Sequence, residues 1–215
     1  MDAKQVLKKL KIMRENGKKR KFTQSVDFIL TLKNFDPKKA KVDAYVDLHH
    51  DVGRRIKVCA LVGGELKDVC KKFCDTVIIK ENFNAYKDKV AQKKLADSHD
   101  YFIAQGDVMK DVATYFGKVL GSRGKMPNPK AGCVVPANAN IEQVVNKLQR
   151  LVRINTGQAP QIMCTIGKET QDDAIIADNI ATIYNTALNL LPSQQNNVRA
   201  AFIKMTMTKA VKLEE

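Results

Sequence analysis

The stretch Leu120 to Val134, LGSRGKMPNPKAGCV, sets three glycines and two prolines among charges, more densely than any other part of the chain. Gly121, Gly124 and Gly132 tolerate backbone angles that other residues resist, while Pro127 and Pro129 fix theirs and remove donors. Helix and strand are both expected to stop here, leaving a preset, exposed loop that carries Arg123, Lys125 and Lys130. By residue chemistry alone these cations are either solvated or offered to a polyanion.

Upstream of the loop the apolar residues fall in short, nearly continuous runs: Val58 to Val62, Thr76 to Ile79 and Tyr101 to Ala104. Such runs suit strands covered on both faces. Helical segments are expected between them, with Leu66, Val69, Cys70 and Phe73 on one stripe, so the order predicts a parallel α/β sheet. Downstream, Asn140 is placed to cap a helix bearing Ile141, Val144, Val145, Leu148 and Val152.

Both ends of the chain have a different style. Asp2 is placed to cap a helix with Val6, Leu7, Leu10 and Met13 on one stripe, ended by Asn16-Gly17. Val26, Phe28, Leu30 and Leu32 alternate with more polar residues, as do Val42, Ala44, Val46 and Leu48, and Phe35-Asp36-Pro37 turns between them. Ile162, Cys164 and Ile166 alternate again. Asp172 or Asp173 starts a long helix through Ile176, Ile180, Ile183, Ala187 and Leu191, stopped by Pro192, and Ala201, Ile203, Met205 and Met207 make a last strand. Two ends of one style around a middle of another predict an inserted domain, with crossings near Ala60 and Thr156.

The 215 residues are 44% hydrophobic and 28% charged, a composition that folds, and the net charge is +14. Residues 1 to 60 carry 16 Lys+Arg against 7 Asp+Glu, residues 61 to 155 carry 16 against 10, and residues 156 to 215 carry 5 against 6. The positive field is therefore N-terminal and central, and it favours a polyanionic partner. No apolar run reaches the roughly 18 residues of a spanning helix, and no secretion signal is seen, so a cytoplasmic protein with no membrane partner is expected. Five cysteines, an odd number, suit reduced thiols. Cys70 and Cys74 have half of a zinc-type spacing with no second pair, so no metal and no cofactor are expected.

Lys125-Met126-Pro127-Asn128-Pro129-Lys130 after a glycine turn resembles the signature of the L-one family of large-subunit ribosomal proteins, in its archaeal form. Ser122 departs from the family's usual Pro. The resemblance extends from Lys21-Phe22 through Gly167-Lys168 to Thr206-Met207. It implies an α+β domain, residues 1–59 and 157–215, built from both chain ends and binding RNA, and a Rossmann-like, three-layer α/β domain inserted at 60–156. It further implies that Lys21, Phe22, Gln24, Arg54, Lys57, Lys168, Thr206, Met207 and Thr208 face RNA, with Gly121, Arg123, Gly124, Lys125, Met126, Pro127, Pro129 and Lys130 as the signature loop. Gln24, Thr208 and Ala200 stand where the family commonly has Glu, Gly and Ser. The implied partners are large-subunit ribosomal RNA at the mobile stalk, departing deacylated tRNA at the exit site and, for repression of translation, the protein's own messenger RNA; the free protein is expected to be a monomer without catalytic residues.

Two other classes are compatible with parts of the chain. A nucleotide-binding α/β enzyme would use the Gly63-Gly64 turn with His49 and Asp51 as acid or base, although the turn lacks the spacing of either glycine-rich phosphate motif. A basic chaperone or membrane-surface binder would need only the charge.

Overall fold

The computed structural model describes residues 3–18, 20–37 and 40–213. The expected cap at Asp2, and Lys19 of the basic run, lie outside them. The chain opens with α1 (Ala3–Glu15), β1 (Ser25–Leu32), β2 (Asp43–Asp47), β3 (Val58–Val62), α2 (Lys67–Phe73) and β4 (Thr76–Ile79). It continues through α3 (Lys89–Ser98), β5 (Tyr101–Gln105), α4 (Met109–Ser122), β6 (Val134–Val135) and α5 (Ile141–Arg150). It closes with β7 (Leu151–Asn155), β8 (Gln161–Lys168), α6 (Asp173–Leu190), β9 (Val198–Met205) and β10 (Val211–Lys212).

Two compact units result, Met1–Arg54 together with Arg150–Glu215, and Arg55–Gln149. These bounds differ from the expected 60–156. Strand β3 starts at Val58 and pairs with β4 and β5, which draws residues 55–59 into the second unit. At the other crossing β7 pairs with β2, Asp43 against Asn155 through Asp47 against Leu151, so residues 150–156 go with the chain ends. Val152, expected on the helical stripe, is a strand residue for the same reason.

In the first unit an antiparallel sheet has the order β10-β9-β1-β8. Val26, Phe28, Leu30 and Leu32 of β1 are buried, and their alternation turns one face of the sheet onto α1 and α6. Leu10 and Met13 of α1 and Ile176, Ile180, Ile183 and Tyr184 of α6 complete that core. Each such side chain contributes roughly 1.5–3 kcal/mol of burial.

In the second unit β4-β3-β5-β6 are all parallel. Every residue of β3 is buried, as a strand covered on both faces requires. Cys59, Leu61 and Phe102 pack with Phe116 and Leu120 of α4, while Ala60, Val62 and Ile103 are buried on the opposite side. Asn140 caps α5 through its Oδ1, which accepts from Gln143 N–H at 3.3 Å. The stripe on α2 is narrower than expected: Leu66 and Cys70 are buried, but Val69 and Phe73 are 41% and 37% exposed. They lie on one flank of a seven-residue helix, outside the arc that meets the sheet.

Candidate nucleic-acid interface

Strand β1 runs antiparallel to both neighbours, so its start meets the ends of β8 and β9: Ser25 lies opposite Lys168 and Val26 opposite Met205. Gln24, just before β1, is buried and joins both neighbours. Its carbonyl accepts from Glu169 N–H at 2.9 Å, its N–H donates to Glu169 Oε2 at 3.1 Å, and its side-chain Oε1 accepts from Met207 N–H at 3.1 Å. Thr206 N–H donates to the Ser25 carbonyl at 3.1 Å, and Ser25 N–H donates to Thr206 Oγ1 at 3.1 Å. Lys168 Nζ donates to Ser25 Oγ at 3.1 Å.

This knot decides where Met207 stands. The expected alternation through Met207 fails because β9 stops at Met205 and the chain turns. Thr208 Oγ1 accepts from Met205 N–H at 2.9 Å, and Thr208 N–H returns to the Met205 carbonyl at 3.1 Å. Met207 is thereby 56% exposed, and Phe22, two residues before Gln24 in sequence, is 51% exposed. Lys18, Arg20 and Lys21 lie exposed beside Phe22. Thr208, where a glycine is usual in the resemblance, thus has a use inside the turn. At Ala200 it is the carbonyl that is engaged, accepting from Thr31 Oγ1 at 2.9 Å.

A second tier, absent from the sequence reading, holds the turn after β8. Arg14 on α1 donates from Nε to Asp173 Oδ1 at 2.7 Å, from Nη1 to the Glu169 carbonyl at 2.6 Å and from Nη2 to the Gln171 carbonyl at 2.8 Å. Gln171 Oε1 accepts from Lys168 N–H at 2.9 Å, and its Nε2 donates to the Asp51 carbonyl at 3.0 Å. Asp51 Oδ1 in turn accepts from Gly53 N–H at 2.7 Å. Gly53 has φ +72°, and a Cβ there would lie 2.8 Å from the Gln171 side chain, so only glycine fits without strain. Arg54 follows, exposed. Arg14 and Gln171 carry no local signal because their partners lie far away in sequence.

Lys57, also expected to face RNA, lies across the boundary from Arg54. It belongs to the second unit, where its N–H donates to Asp100 Oδ2 at 3.1 Å.

The glycine- and proline-rich stretch differs most from expectation. Helix α4 continues through Gly121 and Ser122, and its stop is a left-handed Gly124, φ +64°. Lys125 N–H then reaches back to the Leu120 carbonyl at 2.9 Å. Two of the three cations are tied inward: Lys125 Nζ donates to the carbonyls of Ala96 and His99, both at 2.7 Å, and Arg123 binds the Lys93 carbonyl and the Asp97 carboxylate. Lys125 thereby satisfies the end of α3, where carbonyls lack helical partners, and Arg123 binds the flank of the same helix. Met126 packs on the core and Pro127 is buried. Pro129 opens a short 3-10 turn, Pro129–Ala131, capped by Asn128 Oδ1 accepting from Lys130 N–H at 2.9 Å, and Gly132 at φ +73° leads into β6. Lys130 stays exposed.

The arrangement needed by the enzyme reading does not form. His49 Nδ1 lies 2.8 Å from Asp178 Oδ2 on α6, whereas Asp51 is committed to Gly53 and Gln171. Gly63 N–H is taken by Gln105 Oε1 at 2.9 Å. Burial pushes the thiols of Cys59 and Cys164 up to about 12 and that of Cys133 to about 11, so these are packed, un-ionised sulfurs. Cys70 and Cys74 are hydrogen-bonded to each other.

Comparison with known proteins bears on this geometry. The sequence model of the Ribosomal protein L1p/L10e family matches residues 8–209. The protein named Large ribosomal subunit protein uL1 of Methanocaldococcus jannaschii is 38% identical, with 100% of this chain and 97% of the relative covered. Its namesake in Nanoarchaeum equitans is 37% identical over 92% of this chain and 94% of its own. That of Methanothermococcus thermolithotrophicus is 36% identical with both chains fully covered, 100% each.

Proposed function

The chain belongs to the ribosomal protein L1p/L10e family, and from that premise we propose that the strand-end surface of its first unit reads folded large-subunit ribosomal RNA. The protein is a structural constituent of the large ribosomal subunit, not an enzyme. The finer reading rests on one observation: Gln24 holds Met207 by its N–H, and Met207 and Phe22, two residues before Gln24 in sequence, are both exposed apolar side chains, with Arg20 and Lys21 exposed next to Phe22 along the chain.

The mechanism follows from these parts. Phe22 and Met207 offer flat and polarizable apolar contact to ribose or base faces, and the cations around them supply affinity by releasing counterions. The knot behind Met207 fixes that tip before RNA arrives, so this part of the surface needs no ordering on binding. Unit one carries a net charge of +8, from 21 Lys+Arg against 13 Asp+Glu, and unit two +6, from 16 against 10. Deacylated tRNA near the exit site and a similar fold in the protein's own messenger RNA are further ligands of this reading, and the free protein acts as a monomer.

Binding to the stalk fragment of large-subunit ribosomal RNA, compared with a scrambled RNA of equal length, tests the reading. A preference of several hundredfold or more for the stalk supports it, since specific recognition typically exceeds non-specific binding by roughly a thousandfold or more. Equal binding overturns it. For the messenger, a gel shift with the protein's own leader that shows no complex at concentrations saturating the ribosomal RNA removes the repressor role.

A further inference from the structure

On the sheet face turned away from α1 and α6, β8 begins beside a cavity of about 340 Å³ lined by Arg153, Asn155, Gly157, Gln158, Gln161 and Met163 among others. It lies toward the opposite end of β8 from Lys168, five residues along from Met163 or roughly 17 Å at about 3.3 Å per residue. The strand-end knot therefore does not include it.

The cavity is built rather than incidental. Arg153 forms a two-point pair with Asp43, Nε to Oδ1 and Nη2 to Oδ2, both 2.8 Å, and its guanidinium carbon lies 5.8 Å from the centre of the Tyr45 ring. The loop over it is pinned at both ends. Fully buried Thr156 exchanges hydrogen bonds with Val42, its N–H to the Val42 carbonyl and Val42 N–H to its Oγ1, each 3.0 Å, and the Pro160 carbonyl accepts from Leu32 N–H at 2.8 Å. Met163 is 53% exposed, and its direct partner Ile29 is paired in turn with Phe202, so an apolar row leads across three strands to the cavity.

We propose that this cavity receives one unstacked nucleobase of the RNA bound by the strand-end surface, and so is a second, base-reading contact that rests on the RNA reading above. Arg153 is paired with Asp43, which makes the site poor for a phosphate and holds the guanidinium in place at the cavity wall. The amides of Asn155, Gln158 and Gln161 each offer donors and an acceptor, the two-way chemistry that base edges require. Met163 adds an adaptable, polarizable contact for a flat ring. The volume is at the small end of ligand pockets, roughly 300–1,000 Å³.

The test uses the full chain and the ribosomal stalk fragment, with base-modification footprinting and a salt series, for wild type, Met163→Ala, Gln161→Ala and Phe22→Ala. Met163 is half exposed, so its replacement leaves the core intact. The expected result is about tenfold weaker binding in Met163→Ala with an unchanged salt slope, because a stacking contact and no phosphate contact is lost, and one base that regains reactivity in both cavity variants. Wild-type affinity and footprint in both, with Phe22→Ala still defective, overturn the cavity proposal and leave the RNA reading standing. Normal RNA binding with failed incorporation into subunits also overturns it, in favour of a protein neighbour. If Phe22→Ala too behaves as wild type and scrambled RNA binds equally, the RNA reading fails and this proposal falls with it.

Discussion

Met207 N–H donates to the side chain of Gln24 at 3.1 Å, across 183 positions of sequence, and this bond ties the end of β9 to the start of β1. Gln24 is only 1% exposed, so its amide acts as a rivet rather than a contact residue. Replacement by Ala leaves the Met207 N–H without its partner, and the expected destabilisation is about 1–3 kcal/mol. Urea denaturation measures it. RNA affinity should fall further than stability predicts, because Met207 loses its fixed position while the unit stays folded.

Arg14 provides the second rivet. Its guanidinium reaches one carboxylate and two carbonyls, so Arg14→Ala should destabilise by about 2–3 kcal/mol. Arg14→Lys should recover little, since a single ammonium lacks the planar fork that meets three acceptors at once. Full recovery in the Lys variant would show that charge alone matters there.

Gly53→Ala tests the turn below. With φ at +72° and Gln171 in the way, the variant should lose about 1–2 kcal/mol and loosen Lys168 through the Gln171 link. Thermal melting and RNA binding should both decline. An unchanged melt would mean the turn reshapes freely.

The signature loop separates two kinds of lysine. Lys125→Ala removes both donors to Ala96 and His99 and should lower stability by about 1–3 kcal/mol. Lys130→Ala should leave stability within about 0.5 kcal/mol, as exposed substitutions do. If Lys130 meets a phosphate, its loss reduces the salt slope by about one.

Alkaline pH offers a check on the core. Cys59, Cys164 and Cys133 are raised from 9.0 to about 12, about 12 and about 11, chiefly by burial, with Asp27 adding to the effect at Cys164. The folded state holds these protons more tightly than the unfolded chain, so the contribution is fully present below pH 9 and is lost as pH rises through 11 to 12. The slope is about 1.4 kcal/mol per pH unit for each thiol. Cys59→Ala should flatten the fall in stability above pH 9 relative to wild type.

Much of the architecture was legible because it lies in local periodicity. The strict alternation of β1, the apolar runs of β3 and β5 and the stripe of α6 each report which faces are buried, whereas β4, at the edge of its sheet, buries only Ile78 and is not covered on both faces as its run predicts. The rest depends on partners distant in sequence. Val152 continues a helical stripe by spacing, yet Val46 pairs with it and makes it strand. Lys125 looks like a surface cation until the end of α3 is brought to it. Met207 continues an alternation that only the Thr208 turn breaks. At the site, the exposed Phe22 was legible by resemblance, while Arg14, Gln171 and Glu169 were not, since nothing near them in sequence reveals what they hold.

The central claim is that preset apolar tips, not charge alone, select the RNA. The most direct measurement is the affinity for the stalk fragment across a salt series for wild type and Phe22→Ala. The account predicts that the variant loses most of its preference for the stalk over scrambled RNA while its salt slope stays the same, because no cation has been removed. Equal preference in both proteins, or a preference that vanishes in wild type as salt rises, would contradict it.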